Sequence, residues 1–214
     1  MFPFPFSFIA PVADIPVEQI ANAEAMSFNG TDQYVESSYS SILNQSVYSF
    51  SFWINNDINT GTVVQGIITC DSATRGWLVF QRGANLEIDQ AGVHGVDSVG
   101  FFNSTNKWIH VGITFDGTNT SVFRNGVLFN TYTSGGVLQS NNNNLIIGNN
   151  TFASGRYFNG KLDEVAIFNT ALSAEKITQI YDATAVVGGV PQTANLFTGR
   201  LDTSLVYWNR MGDS

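Results

Sequence analysis

Alternation with a period of two runs through most of this chain. Between Ser49 and Ile54 small polar and apolar residues alternate, so Phe50, Phe52 and Ile54 share one face, as in a half-buried strand. Trp108 to Phe115 repeats the pattern with Ile109, Val111, Ile113 and Phe115, then stops at Asp116-Gly117. Ser121–Arg124 and Val127–Asn130 flank Asn125-Gly126, the dipeptide best suited to the left-handed backbone of a two-residue hairpin. Leu145 to Gly148, Gly160 to Phe168 and Leu205 to Trp208 predict three further strands. Helical spacing is read once. Ser173 can cap an amino end, Glu175 lies in the positively polarised first turn, Leu172 can staple against Ile177, and Ile177, Ile180 and Tyr181 form one apolar stripe. A short helix lying on a β sandwich is predicted, ended by Gly188-Gly189 and Pro191.

Composition sharpens this picture. The 214 residues are rich in Phe, Gly, Asn, Ser and Thr and poor in charge, which suits short strands joined by tight turns and fits one all-β domain. Acids outnumber bases 17 to 9 and no Lys or Arg precedes Arg75, so the basic footprint that nucleic acids and anionic membranes need is missing. Cys70 is the only cysteine and reads as a small buried apolar residue. No apolar run approaches the ~20 residues of a membrane span.

Three regions follow: an extended amino-terminal arm (1–24), a sandwich (25–184) and a carboxy-terminal tail (185–214). Four prolines and the absence of a basic residue set the arm apart from a cleaved leader. Its alternation of Phe2, Phe4, Phe6 and Phe8 with Pro3, Pro5 and Ser7 dictates extended backbone and leaves four rings needing a dry surface, either the chain's own sandwich or a neighbour.

In order along the chain, Met26–Val35, Phe50–Ile54, Trp108–Gly117, Arg124-Asn125-Gly126 and Gly160–Val165 through Leu172-Ser173 resemble the motifs of laminin G-like domains of the concanavalin A-like lectin and glucanase type. The resemblance covers about residues 25–183. It implies a two-sheet antiparallel jelly roll, with ligand sites on rim loops or the concave face. Members often bind carbohydrate or mediate adhesion, and many occur in bacteriophage virions; Leu205–Asp213 is also similar to a tail segment found there.

Some relatives are glycoside hydrolases with a Glu-x-Asp-x-x-Glu strand. The nearest stretch is Glu87-Ile88-Asp89-Gln90-Ala91-Gly92. Retaining hydrolysis needs a second carboxyl group ~5–5.5 Å from the first, and Gly92 has none to offer. No enzymatic activity is expected, and Glu87 and Asp89 read as solvated strand residues. His110, inside a strand, reads as a satisfied, partly buried imidazole, and His94 sits in a Gly-rich turn with no carboxylate nearby.

No cofactor is expected beyond a structural calcium ion. Asp163 shares the parity of Val165 and Ile167, and the resemblance brings its strand near the Asn29–Asp32 turn. Asn29, Asp32 and Asp163 are therefore candidate oxygen ligands, unless Asp163 simply accepts backbone N–H groups of that turn. For a glycan, Trp77 and Trp53 with Asp71 and Arg75 form a candidate stacking platform, the alternative being that both indoles are core.

The leading expectation is a non-catalytic virion structural protein: a capsid decoration, fibre or tail component assembling with other virion or surface proteins, or with its own copies. Phe2, Phe4, Phe6, Phe8, Leu205, Tyr207 and Trp208 are its candidate assembly residues. The alternative is a carbohydrate-binding module of a secreted or surface adhesin.

Overall fold

A computed structural model describes residues 18–20, 22, 24–38, 43–71, 76–90, 93–136, 142–151, 153–196 and 203–211. Phe2, Phe4, Phe6, Phe8 and Arg75 lie outside the described residues. The strands are β1 (Glu18–Ile20), β2 (Met26–Asn29), β3 (Val35–Ser37), β4 (Tyr48–Asn56), β5 (Val64–Asp71), β6 (Gly76–Arg82), β7 (Asn85–Gln90) and β8 (Val93–Ser98). Next come β9 (Ile109–Phe115), β10 (Asn119–Arg124), β11 (Val127–Thr133), β12 (Leu145–Ile147), β13 (Asn159–Phe168), helix α1 (Ala174–Ala183), β14 (Thr193–Asn195) and β15 (Leu205–Asn209).

Two antiparallel sheets face each other. The seven-stranded sheet runs β11-β10-β9-β4-β13-β15, with β2 beside the first half of β13; the six-stranded sheet runs β3-β12-β5-β6-β7-β8. Alternation decides what lies between them. Phe50, Phe52 and Ile54 of β4 meet Ile109, Val111, Ile113 and Phe115 of β9 in one core with Ile68, Val79, Leu86, Ile88 and Ile147 from the opposite sheet. The Asn125-Gly126 turn has φ of 52° and 74° at its two residues, the double left-handed geometry of a tight hairpin.

The seven-stranded sheet has a second apolar layer on its outer face. Helix α1 lies there, its amino end capped by Ser173 Oγ accepting from Lys176 N–H. Ile177, Ile180 and Leu172 pack with Phe123, Ala166 and Phe168 in a core of their own. A Cβ at Gly112 of β9 would come within 2.7 Å of Ile177 Cγ2, so that strand must be bare where the helix crosses it.

Past α1 the chain stays on this sandwich. β15 pairs antiparallel with the second half of β13, Val165 opposite Asn209 and Phe168 opposite Leu205. Of the candidate assembly residues, Leu205 and Trp208 pack on the helix-side core and Tyr207 on the main core of their own chain. β14 in turn pairs with β1. The folded unit therefore reaches beyond residues 25–184 at both ends.

A bulge between Asp163 and Ala166 in the β13–β4 pairing makes this arrangement, with Glu164 at φ 51°. It breaks the parity read from the sequence: Leu162, Val165 and Ile167 point between the sheets, while Ala166 and Phe168 point to the helix side. Asp163 is buried, and its carboxylate accepts from Asn22 Nδ2 at 3.0 Å and from the Glu164 N–H at 2.8 Å. The buried Glu164 carboxylate accepts from Thr193 Oγ1 at 2.7 Å and Trp208 Nε1 at 3.2 Å. Two adjacent acids thus tie residue 22, β14 and β15 to the sheet.

Candidate functional site

The polar end of the six-stranded sheet offers the most complete site among the described residues. Register sets Ile146 of β12 opposite Glu36 of β3 on one side and Thr69 of β5 on the other. Their neighbours Leu145, Ile147 and Val35 pack on the core, so Glu36, Ile146 and Thr69 form a row across three strands on the outer face. Tyr34, two residues before Glu36, stands at the end of that row, 42% exposed.

Its position is built locally. Asn29 Oδ1 accepts from the Thr31 and Asp32 N–H groups at 2.9 and 3.2 Å, and its Nδ2 donates to Asp32 Oδ1 at 2.8 Å. With Gly30 at φ 72°, this Asx turn carries the chain from β2 in one sheet to β3 in the other, and Tyr34 is at the corner. The Tyr157 ring lies 6.3 Å away at 40°.

A loop closes the other side. Thr69 Oγ1 donates to the Asn149 carbonyl at 3.1 Å, and a Cβ at Gly66 would come within 2.4 Å of the Asn149 carbonyl carbon. Gly66 thus admits the loop onto the sheet. Between loop and strands lies a groove of about 320 Å³ lined by Tyr34, Glu36, Thr69, Asn143, Asn144, Ile146 and Thr151. Asn144 Nδ2 donates to Glu36 Oε1 across it. On the other flank of Tyr34 a second hollow, about 380 Å³, is lined by Met26, Ser27, Phe28, Asp32, Gln33, Tyr34 and Val35.

The sites read from the sequence fare differently. Trp77 is 2% exposed and its ring meets Phe50 at 4.7 Å inside the main core. Trp53 is 3% exposed, stacked on Tyr181 at 5.7 Å, with Nε1 donating to Thr184 Oγ1 at 2.8 Å. Neither offers a face to a sugar, so the platform with Asp71 and Arg75 is replaced by the core alternative. Asp71 closes β5 opposite Gly76. The calcium set is not assembled either: Asn29 pairs with Asn159, and Asp163 lies four residues farther along β13, roughly 13 Å at strand spacing. Asn29 and Asp32 serve the turn instead.

Residues 29–178 match the family model of the concanavalin A-like lectin/glucanases superfamily. The chain belongs to this superfamily. Among solved structures, this member resembles a candidate carbohydrate-binding protein from Bacteroides ovatus, with 17% identity and a TM-score of 0.65 over 91% of this chain and 52% of that one. It also resembles the binding domain of Paraclostridial Mosquitocidal Protein 1, with 16% identity and a TM-score of 0.60 over 80% and 46%. Domain 4 of AbnA, a GH43 extracellular arabinanase from Geobacillus stearothermophilus solved with arabinotriose, gives 19% identity and a TM-score of 0.58 over 79% and 81%. At such identities the likeness establishes the fold. This chain spans about half the length of the first two. No curated protein sequence matches it.

Several groups could do acid–base chemistry in such a lectin/glucanase frame. Glu87 Oε1 accepts from Arg82 Nε at 2.7 Å. Gly92 and the His94 side chain lie outside the described residues. His110 is buried under α1, its Nε2 3.0 Å from Ser51 Oγ, between the rings of Trp53 at 5.4 Å and Tyr181 at 5.7 Å. Burial pushes its pKa down from 6.5 to about 3, and its Nδ1 has no partner. A Ser–His pair without a carboxylate and without solvent is a structural contact. No described helix is long and apolar enough to cross a membrane.

Sequence reasoning missed Tyr34 and Glu36. The signal was there: in Gln33-Tyr34-Val35-Glu36 the aromatic falls on the polar phase of the alternation.

Proposed function

We propose that this chain is a non-catalytic glycan-binding module whose ligand packs on Tyr34. One observation carries the reading: an exposed tyrosine stands between two hollows with carboxylates and hydroxyls around it, the combination a sugar needs. Sugar C–H faces pack on aromatic rings, and hydroxyls require directed acceptors and donors. The family supports it, and so does the likeness to proteins described as carbohydrate-binding or solved with an arabino-oligosaccharide. Arg82 on Glu87 and the side-chain-free Gly92 support a binding rather than a cleaving role.

The direct test is glycan binding by the full chain and by Tyr34→Ala, with melting temperature as the check on folding. Loss of binding at unchanged melting temperature is the expected result; binding that survives the change overturns the site.

Display on a virion or a cell surface fits such a module equally. The virion reading drew on end segments needing cover elsewhere, and β15 is paired within its own chain. Its remaining support is the aromatic arm, which lies outside the described residues, the occurrence of such domains in virions that the family resemblance implies, and the short tail resemblance. A glycan-binding sandwich presented by a secreted or surface protein is the reading we favour.

A further inference from the structure

Resting on the glycan-binding reading, we propose that the ligand is an uncharged oligosaccharide at least two sugars long, laid across Tyr34 from one hollow to the other. Four observations carry this. First, Tyr34 is the residue common to both hollows, so a chain passing over its ring enters the outer-face groove on one side and the gap between β2 and β3 on the other. At about 320 and 380 Å³ each hollow is near the lower limit for a small-ligand site, and together they suit a longer guest.

Second, each hollow holds one acid, Glu36 in the groove and Asp32 in the gap, and no Lys or Arg is among the described residues that line them. A uronate or sialate would bring a like charge beside them with no cation among the described lining residues to offset it; the nearest on β13 is Lys161, opposite Ser27. Third, the carboxylates keep acceptor capacity. Glu36 takes one side-chain hydrogen bond, from Asn144 at Oε1, and Asp32 one, from Asn29 at Oδ1. Ionised carboxylates accept readily from hydroxyls.

Fourth, the Gln33 amide, the Tyr34 hydroxyl and the Thr151 hydroxyl have no hydrogen-bond partner among the described residues, and all three residues are exposed. They lie on the two flanks and the crest of the site. A guest touching only one hollow would leave Gln33 or Thr151 to water.

The experiment is an array of neutral, uronate-containing and sialylated glycans, followed by titration of the best neutral binder as a series from one to four sugars. Affinity should rise roughly tenfold or more between one sugar and three. Gln33→Ala should lower the affinity of the three-sugar ligand several-fold, and Thr151→Ala on the other flank likewise, and Glu36→Gln should raise the ratio of uronate to neutral binding. A preference for acidic glycans, or affinity independent of length, overturns this inference while glycan binding itself stands. Should no glycan bind, or should Tyr34→Ala bind as the unchanged chain does, the functional reading fails and this inference with it.

Discussion

The two sheets treat their outer faces in opposite ways. Over the seven-stranded sheet, α1 seals Trp53, His110 and Ser51 beneath a second apolar layer. At the β3–β12–β5 end of the six-stranded sheet, Tyr34 and Glu36 are left to solvent beside a wall made by the loop at Asn149. Residue types alone would assign the first face the chemistry, since it holds a tryptophan, a histidine and a serine. Burial reverses that assignment. The helix makes those groups part of the stability of the molecule, and the plainer strand end is where a ligand can arrive.

The comparison breaks most readily at Trp53. Truncation to alanine should cost about 3–5 kcal/mol in urea unfolding, as removal of large buried aromatics does, while the fraction that remains folded keeps its glycan affinity. Binding lost together with little change in stability would mean that the covered face is the functional one.

Acid should act next, and on the same face. The folded state disfavours protonated His110, so its contribution is intact above pH 6.5 and is lost as pH falls toward about 3. Between pH 6.5 and pH 4 this amounts to about 3 kcal/mol, from ~1.4 kcal/mol per pH unit. The stability profile of His110→Gln should be flatter over that window than that of the unchanged chain.

On the open face the effects are smaller and fall on binding. Tyr34→Phe keeps the ring and should lose about 0.5–1.5 kcal/mol, roughly two- to twelvefold in affinity, for one hydroxyl, a smaller loss than that of Tyr34→Ala. Asn29→Ala removes the acceptor of two backbone N–H groups, and should lower stability by about 1 kcal/mol and weaken glycan binding through the mispositioned Tyr34. Last, Glu87→Gln breaks an exposed ion pair with Arg82 and should change stability by less than about 1 kcal/mol.

The strands were legible wherever one face meets the core, because alternation is then the direct imprint of burial. Phe50, Phe52 and Ile54, the Ile109–Phe115 face, the Asn125-Gly126 hairpin and the Ser173 cap all lie where the periodicity put them. Asp163 was misread because parity fails across a bulge, and nothing in Leu162–Val165 marks the extra residue. Trp53 is buried because a strand covered on both sides buries its polar phase as well, β4 being buried at every position but Asn55, whereas Trp77 lies on the inner face of β6 in the main core. Tyr34 was legible in phase but not in place, since the groove beside it is completed by Thr69, Asn143, Asn144, Ile146 and Thr151, far away in sequence.

The extra residue at Glu164 also has a mechanical meaning. Ahead of it β13 keeps step with β2 and β4, and behind it the strand keeps step with β15 as well as β4. Deleting Glu164 would leave a regular ladder in which Val165 and Ile167 still face the interior and Phe168 the helix, since Asp163 already pairs with Trp53 and Ala166 with Ser51. The carboxylate that holds Thr193 and Trp208 would vanish in the same stroke. One inserted position thus acts as a tether, set outside the alternation of the sheet and holding β14 and β15 through its side chain.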